Sequence, residues 1–195
     1  EFIVQAGLRS APYLMRLEQW GEVSIHLERV INRDTSSITI VAVLPMLHRI
    51  AEATEGTEQE LPSAGVLSKA LMLAGRWQEA EAMVRSLLTR CVDEDKFWEA
   101  NAITGVLFQI LRDTGRFEEA LTLIEGNKYY TSKAGLGPWS QLSNEAQKLQ
   151  ALNKLGRYDE VLKAVEELRV KMEVLPEEGE QKESCDSWNV KEGIL

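Results

Sequence analysis

The feature that most constrains this chain is a pattern it repeats. Leu71-Met-Leu-Ala-Gly75-Arg76-Trp77-Gln78-Glu79-Ala80, Leu111-Arg-Asp-Thr-Gly115-Arg116-Phe117-Glu118-Glu119-Ala120 and Leu152-Asn-Lys-Leu-Gly156-Arg157-Tyr158-Asp159-Glu160-Val161 share one reading, Leu-x-x-x-Gly-Arg-aromatic-x-Glu-(Ala/Val). The glycines at 75, 115 and 156 set a period of 40–41. A second column keeps the same phase, because Trp98 stands as far ahead of Gly115 as Trp139 does of Gly156. Self-similarity at such a period marks a stacked array, in which each unit is one supersecondary element that buries its apolar face only against its neighbours.

Each unit reads as a helical hairpin. Glycine ends the first helix because it takes the left-handed conformation of a C-terminal cap without steric cost. The glutamate four residues later falls in the first turn of the next helix, where negative charge is favoured. The small Ala80, Ala120 or Val161 lets the paired helices approach. Apolar residues then recur at helical spacing through Ala80, Met83, Val84 and Leu87, through Ala120, Leu123 and Ile124, and through Val161, Leu162, Val165 and Leu168. The first helices do the same at Leu67 and Leu71, Leu107 and Leu111, and Leu149 and Leu152. The expected fold class is therefore all-α, an α-α superhelix or right-handed solenoid of antiparallel helix pairs, with about ten helices.

These residues resemble the tetratricopeptide (TPR) family, whose helix–turn–helix repeat carries Gly and an aromatic at the turn, Ala three residues on and a large apolar residue four further. Trp77/Ala80/Val84, Phe117/Ala120/Ile124 and Tyr158/Val161/Val165 keep those spacings. The clear coverage is residues 61–174. The period of 40–41 departs from the family's 34, which implies longer helices or linkers. The mid-helix small residue of the family is Ser68 here but Phe108 and Leu149 in the next two units. The strings at 129–139 and 149–161 further resemble TPR tracts of large multidomain bacterial proteins, some of them NTPase-type signalling proteins.

The resulting organisation is one TPR-like domain over 1–195: irregular helices over 1–60, clear repeats at 61–100, 101–141 and 142–175, and a partial repeat at 184–195 with Trp188 in the column of Trp98 and Trp139. Glu18-Gln-Trp20-Gly21-Glu22-Val23 is a worn copy of the turn, with Glu18 in the glycine column. An extra helix is expected over Ser37–Thr54, capped by Ser37 and kinked at Pro45, then a polar linker from Glu55 to Glu60. Its apolar stretch, 38–47, is too short to span a bilayer, which takes about 20 residues, and reads as a buried helix, with a strand as the alternative its β-branched residues leave open. Both ends look arbitrary, so the chain is expected to be a fragment of a longer array.

Charge narrows the function. Lys and Arg number 22 against 31 Asp and Glu, a formal charge of −9. That balance speaks against nucleic acid, whose phosphates need a basic face, and against an anionic membrane surface. Cys91 and Cys185 make no disulfide framework and suit a reducing, cytoplasmic compartment. His26 and His48 stand apart from any metal-ligand spacing, no phosphate-cradling Gly-Lys-Ser/Thr motif is present, and adjacent glutamates such as Glu118 and Glu119 point apart on a helix. No catalytic residue, metal or cofactor is expected. The expected function is a non-enzymatic scaffold for a protein or peptide partner, with two alternatives: an oligomerisation element, such as a homodimer pairing through the open array ends, or the sensor region of an NTPase-type signalling protein. The resemblance implies that the first helices line a concave groove, which puts Lys69, Gln109 and Gln150 (six residues before each turn glycine) and Met72, Arg112 and Asn153 (three before) on the peptide-binding face.

Overall fold

The computed structural model describes residues 2–175; the partial repeat expected at 184–195, with Trp188 and Cys185, lies outside them. Among the described residues every regular element is an α-helix: α1 (Phe2–Arg16), α2 (Trp20–Arg33), α3 (Ser37–Thr54), α4 (Glu60–Leu73), α5 (Trp77–Asp93), α6 (Phe97–Asp113), α7 (Phe117–Lys133), α8 (Pro138–Lys154) and α9 (Tyr158–Glu173).

The long period has a simple origin. Helices α5 to α8 are each 17 residues, and three-residue turns join most of them, so a helix plus its turn takes about twenty residues and a hairpin about forty. The turn before α8 is one residue longer, because Gly137 caps that helix and Pro138 opens it. That insertion lengthens the second spacing from 40 to 41.

One backbone device closes six of the turns. After α4, α6, α7 and α8 the chain places Gly75, Gly115, Gly135 and Gly156 at positive φ, with Glu18 after α1 and Asp95 after α5 in the same conformation. In each turn the next residue's N–H returns to a carbonyl five residues back: Gln19 to Leu14, Arg76 to Leu71, Lys96 to Cys91, Arg116 to Leu111, Leu136 to Thr131 and Arg157 to Leu152. The left-handed residue itself donates three residues back, as Gly115 does to Arg112 at 3.1 Å. This pair of bonds is the Schellman cap, which satisfies carbonyls that the helix end leaves orphaned.

The Arg and Glu columns complete the junction. Arg157, at the N-cap of α9, donates to Glu160 at 2.6 and 2.7 Å, and Arg116 pairs with Glu119 and Arg76 with Glu79 in the same way. The Arg157 guanidinium holds the Glu160 carboxyl below its ordinary range. Asp95-Lys96-Phe97-Trp98-Glu99-Ala100 is the same motif half a period away, with aspartate in place of glycine. A non-glycine residue in this conformation costs roughly 1–2 kcal/mol, and neither Glu18 nor Asp95 has a side-chain hydrogen bond or ion pair that offsets it. Asp95→Gly and Glu18→Gly are therefore each expected to stabilise by about 0.5–1 kcal/mol in chemical denaturation, after the extra unfolded-state entropy of glycine is deducted. Gly115→Ala should lose about 1 kcal/mol.

The chain divides into two compact units, Glu1–Leu87 and Leu88–Leu195, with the boundary inside α5. In the first, α2 packs against α1, α3 and α4, and its core is Val23, Leu27, Val30, Ile31, Ile40, Val43, Leu47, Ile50, Leu67 and Leu71. Gly7 brings α1 close to α2: a Cβ there would lie 2.4 Å from Val30 Cγ2. In the second, α6 to α9 pack in succession. All six leucines expected on the first helices are buried. So are Ala80, Val84, Leu87, Ala120, Ile124 and Leu168, whereas Leu162 is exposed, on the side of α9 that faces away from Trp139 and Leu149.

Two details differ from expectation on α3. Ser36, one residue earlier than expected, is the N-cap: its hydroxyl accepts from the Thr39 N–H, while Asp34 accepts from the Thr39 hydroxyl at 2.6 Å. The helix is also buried on one side only. Thr39, Ile40, Val43, Leu44 and Leu47 face inward, and Ile38, Val41, Ala42 and Pro45 are exposed.

Candidate protein-binding face

The six residues expected on the binding face all sit on first helices, and the structure leaves them on the surface. Lys69 and Met72 lie on α4, Gln109 and Arg112 on α6, Gln150 and Asn153 on α8. Lys69, Gln109, Gln150 and Asn153 are exposed, and Met72 and Arg112 half-buried. Lys69 reaches across to α2 and donates to Asn32 Oδ1. Arg112 is held by its own neighbour, Asp113, at 2.9 Å, which neutralises the cation where it stands.

Within the second unit these residues belong to longer stripes. On α6, Trp98, Ala102, Gly105, Gln109 and Arg112 recur at steps of four and three, the spacing of one helix face, and all are exposed or half-exposed. On α8 the same holds for Ser143, Gln147, Gln150 and Asn153. None of the nine is a carboxylate. Glu145 of α8 and Glu125 of α7 are spent between those helices: Lys128 bonds Glu145 at 2.8 Å and Lys148 bonds Glu125 at 2.7 Å. The Lys148 ammonium holds the Glu125 carboxyl below its ordinary range and is itself raised. In a chain of net charge −9, lateral pairing of this kind leaves the stripes neutral and amide-rich.

A buried polar bridge, which the sequence reading missed, ties the two stripe-bearing helices together. The Asn127 side-chain amide, 3% exposed on α7, donates to Asn101 Oδ1 on α6 at 3.0 Å and to Asn144 Oδ1 on α8 at 2.8 Å. Asn144 in turn donates to the Thr131 hydroxyl at 2.8 Å, and that hydroxyl lies 2.9 Å from Asn101 Oδ1. Asn101 is half-buried, three residues after Trp98. One turn beyond the bridge come Gly105, where an added Cβ would meet nothing within 4 Å, and Gln147, whose Oε1 is buried without a hydrogen-bond donor. Glycine inside a helix costs roughly 1 kcal/mol relative to alanine, and no neighbour among the described residues requires it at Gly105. Gly65, its counterpart on α4 in the preceding repeat, is equally open.

The two tryptophans of the second column part company. Trp139 is buried with Leu142, Ala146, Leu149 and Leu168, while Trp98 is 55% exposed. Beside it in sequence, Phe97 packs edge-on to Tyr129 at 5.8 Å and stacks with Tyr130 at 6.5 Å. His26 is within 3.1 Å of the Ser10 hydroxyl and His48 within 3.5 Å of Glu79. Among the described residues no group of three or more His, Cys, Asp and Glu could hold a metal ion.

No protein-family model and no curated protein matches the chain. Solved structures do. The nearly identical TPR-like repeats of a protein assigned as a kinesin light chain of Podosopora anserina align over 86% of this chain and 93% of their own, with TM-score 0.55 at 16% identity. A point-substituted form aligns over 87% and 95%, again with TM-score 0.55, at 17% identity. The chain has a TPR-like helical-repeat fold. Its helices are longer than the 34-residue TPR repeat allows, but the left-handed turn, the aromatic after it and the small residue beyond survive the change. TPR-like arrays generally act as non-catalytic scaffolds that use extended surfaces for protein interaction.

Proposed function

We propose that this chain is a non-enzymatic scaffold segment that holds an extended stretch of a partner protein along the exposed stripes of its first helices. The observation that carries this reading is the carboxylate-free, amide-lined pair of stripes on α6 and α8 of an otherwise acidic chain. Gln109, Gln150 and Asn153 can each donate to and accept from a peptide backbone, which an extended strand leaves unpaired every second residue. Trp98 offers a flat apolar platform with an indole N–H. Gly105 allows a ligand backbone closer than any other residue would. With no acid on the stripes, the partner segment is neutral or acidic rather than basic.

The test is a selection of displayed random dodecapeptides on the full chain, followed by titration of the selected peptides against variants. Trp98→Ala and the pair Gln109→Glu with Gln150→Glu should each weaken binding about tenfold or more while leaving the thermal melt unchanged. Selected peptides that bind these variants as tightly as the parent would remove the assignment.

A second reading, pairing of chains through the open array end, is favoured by one observation: Phe2, Ile3, Tyr13 and Leu17 are all exposed, on α1 and just after it. Leu17→Glu should then abolish any dimer.

A further inference from the structure

We infer that the cleft between the last turns of α7 and α9 and the first turns of α8 is a binding site for a small aromatic carboxylate. The inference is independent of the peptide-binding reading, because none of the stripe residues on α6 and α8 lines this cleft. Comparison of successive repeats shows why it exists. In the α6–α7 hairpin, Phe97 opens the first helix, and its ring stacks on Tyr130 near the end of the second, 6.5 Å apart and 20° from parallel. The repeat spacing that takes Gly115 to Gly156 takes those two positions to Pro138 and Lys171. Proline holds the opening position because its fixed φ suits the first turn of a helix. Neither replacement supplies a ring, and both line a cavity of about 400 Å³.

The lining selects the ligand. Leu142, Val174 and Leu175 join Pro138 in an apolar wall, against which a flat ring is favoured. Lys128 also lines the cleft, but Glu145 neutralises it at 2.8 Å. Lys171 has no ion pair among the described residues. Their lining therefore sets one uncompensated positive charge beside room for a ring, which is the complement of an aromatic acid. The Ser132 hydroxyl and the Gln141 amide, on the same lining, can donate to a carboxylate that Lys171 holds. A cationic ligand would be repelled by Lys171, and a neutral ring would leave it unused. Ligand pockets run from about 300 to 1,000 Å³, and this one, at their small end, has room for a bicyclic ring with a short acid arm. The rim is open, with Val174 80% exposed, so the expected Kd is about 0.1–1 mM.

Titration of the isotopically labelled full chain with indole-3-acetate, followed through its amide chemical shifts, tests the inference. The largest shifts should fall on Ser132, Gln141, Leu142 and Val174 and should saturate by about 10 mM. Acetate at the same concentrations should leave these amides unmoved. Lys171→Gln, at an exposed position, should weaken indole-3-acetate about three- to fivefold and leave the weaker binding of indole unchanged. Pro138→Phe with Lys171→Tyr restores the two rings of the preceding repeat. That double variant should keep the parent's circular dichroism and bind neither compound. Absence of saturable shifts, shifts centred elsewhere on the chain, or a double variant that binds like the parent overturns the inference. So does a Lys171→Gln variant that loses indole as much as indole-3-acetate. Tighter binding of indole-3-acetate by Trp188→Ala would make the chain's own tryptophan the occupant, and would likewise overturn it.

Discussion

Asn127→Asp is expected to lower the unfolding temperature by roughly 5–15 °C at pH 7, although it exchanges a single NH₂ group for an oxygen. Asn127 is 3% exposed and its amide nitrogen is the donor that Asn101 and Asn144 share. Its Oδ1 already lacks a donor. Both partner amides can rotate to present their own nitrogens, with the Thr131 hydroxyl turning to follow, so acceptor–acceptor mismatch can be relieved in part. The charge cannot. The adjacent cations are committed elsewhere, Lys128 to Glu145 and Lys148 to Glu125, and a buried carboxylate without a cation costs about 2–4 kcal/mol. The sign of the pH dependence follows. Burial raises the folded-state pKa of the new carboxyl above its unfolded value of about 3.9. Between those two values the native state binds more protons, so stability falls as pH rises through the window. The deficit relative to the parent should be full at pH 7 and should shrink toward pH 4. A deficit under about 2 °C, or one equal at both pH values, would show that the bridge is not closed from solvent.

That bridge also shows where the sequence was legible and where it was not. Asn127 stands on the apolar stripe of α7, three residues after Ile124 and seven after Ala120, a position where the pattern calls for a hydrophobe. The signal was therefore present: a polar residue in a buried register needs partners on other elements. Naming them was out of reach, because Asn101 and Asn144 lie 26 and 17 residues away on different helices. Local backbone chemistry was far more readable. Gly75, Gly115 and Gly156 announce their turns because the left-handed cap selects glycine, and Glu18 was placed in the same column by its neighbours Trp20 and Glu22. Asp95 escaped, and Gly135 reads as a linker turn but not as a copy of the cap, for opposite reasons. Asp95 keeps the basic, aromatic, acidic and small residues but lacks the glycine, whereas Gly135 keeps the glycine and loses the rest to Leu136, Gly137 and Pro138.

The candidate face divides along the same line. That Gln109, Gln150 and Asn153 point to solvent follows from helical phase relative to the buried leucines, and phase is a local property. Whether a long cation is free does not follow from phase. Lys69 finds Asn32 across 37 residues, and Arg112 is captured by the aspartate beside it, which turns two apparent anchors into residues already engaged. The amide residues, having no such partners, carry more of the proposed recognition than the two cations on which charge alone would focus.

The largest effect is expected at Trp139, and its contrast with Trp98 separates packing from recognition. The two stand in one sequence column, equally far ahead of a turn glycine and each second in its helix. Trp139→Ala removes a side chain that is 2% exposed and lies among Leu142, Ala146, Leu149 and Leu168. The lost transfer energy and the cavity together should cost about 3–5 kcal/mol. Because repeat arrays are stabilised by neighbouring interfaces, the loss should appear first as faster amide hydrogen exchange in α8 and α9. The protection of α1 to α4 should be unaffected at low denaturant. Trp98→Ala, at a position more than half exposed, should change stability by less than about 0.5 kcal/mol, yet weaken the selected peptides about tenfold or more. The reason for the split lies in what precedes each residue. Gly137 and Pro138 start α8 after a turn one residue longer, and Trp139 lies in the core there. Phe97 precedes Trp98, and its ring is held by Tyr129 and Tyr130, leaving the indole of Trp98 outside. Equal destabilisation by the two substitutions would mean that both indoles are packing residues, and the platform assigned to Trp98 would be withdrawn.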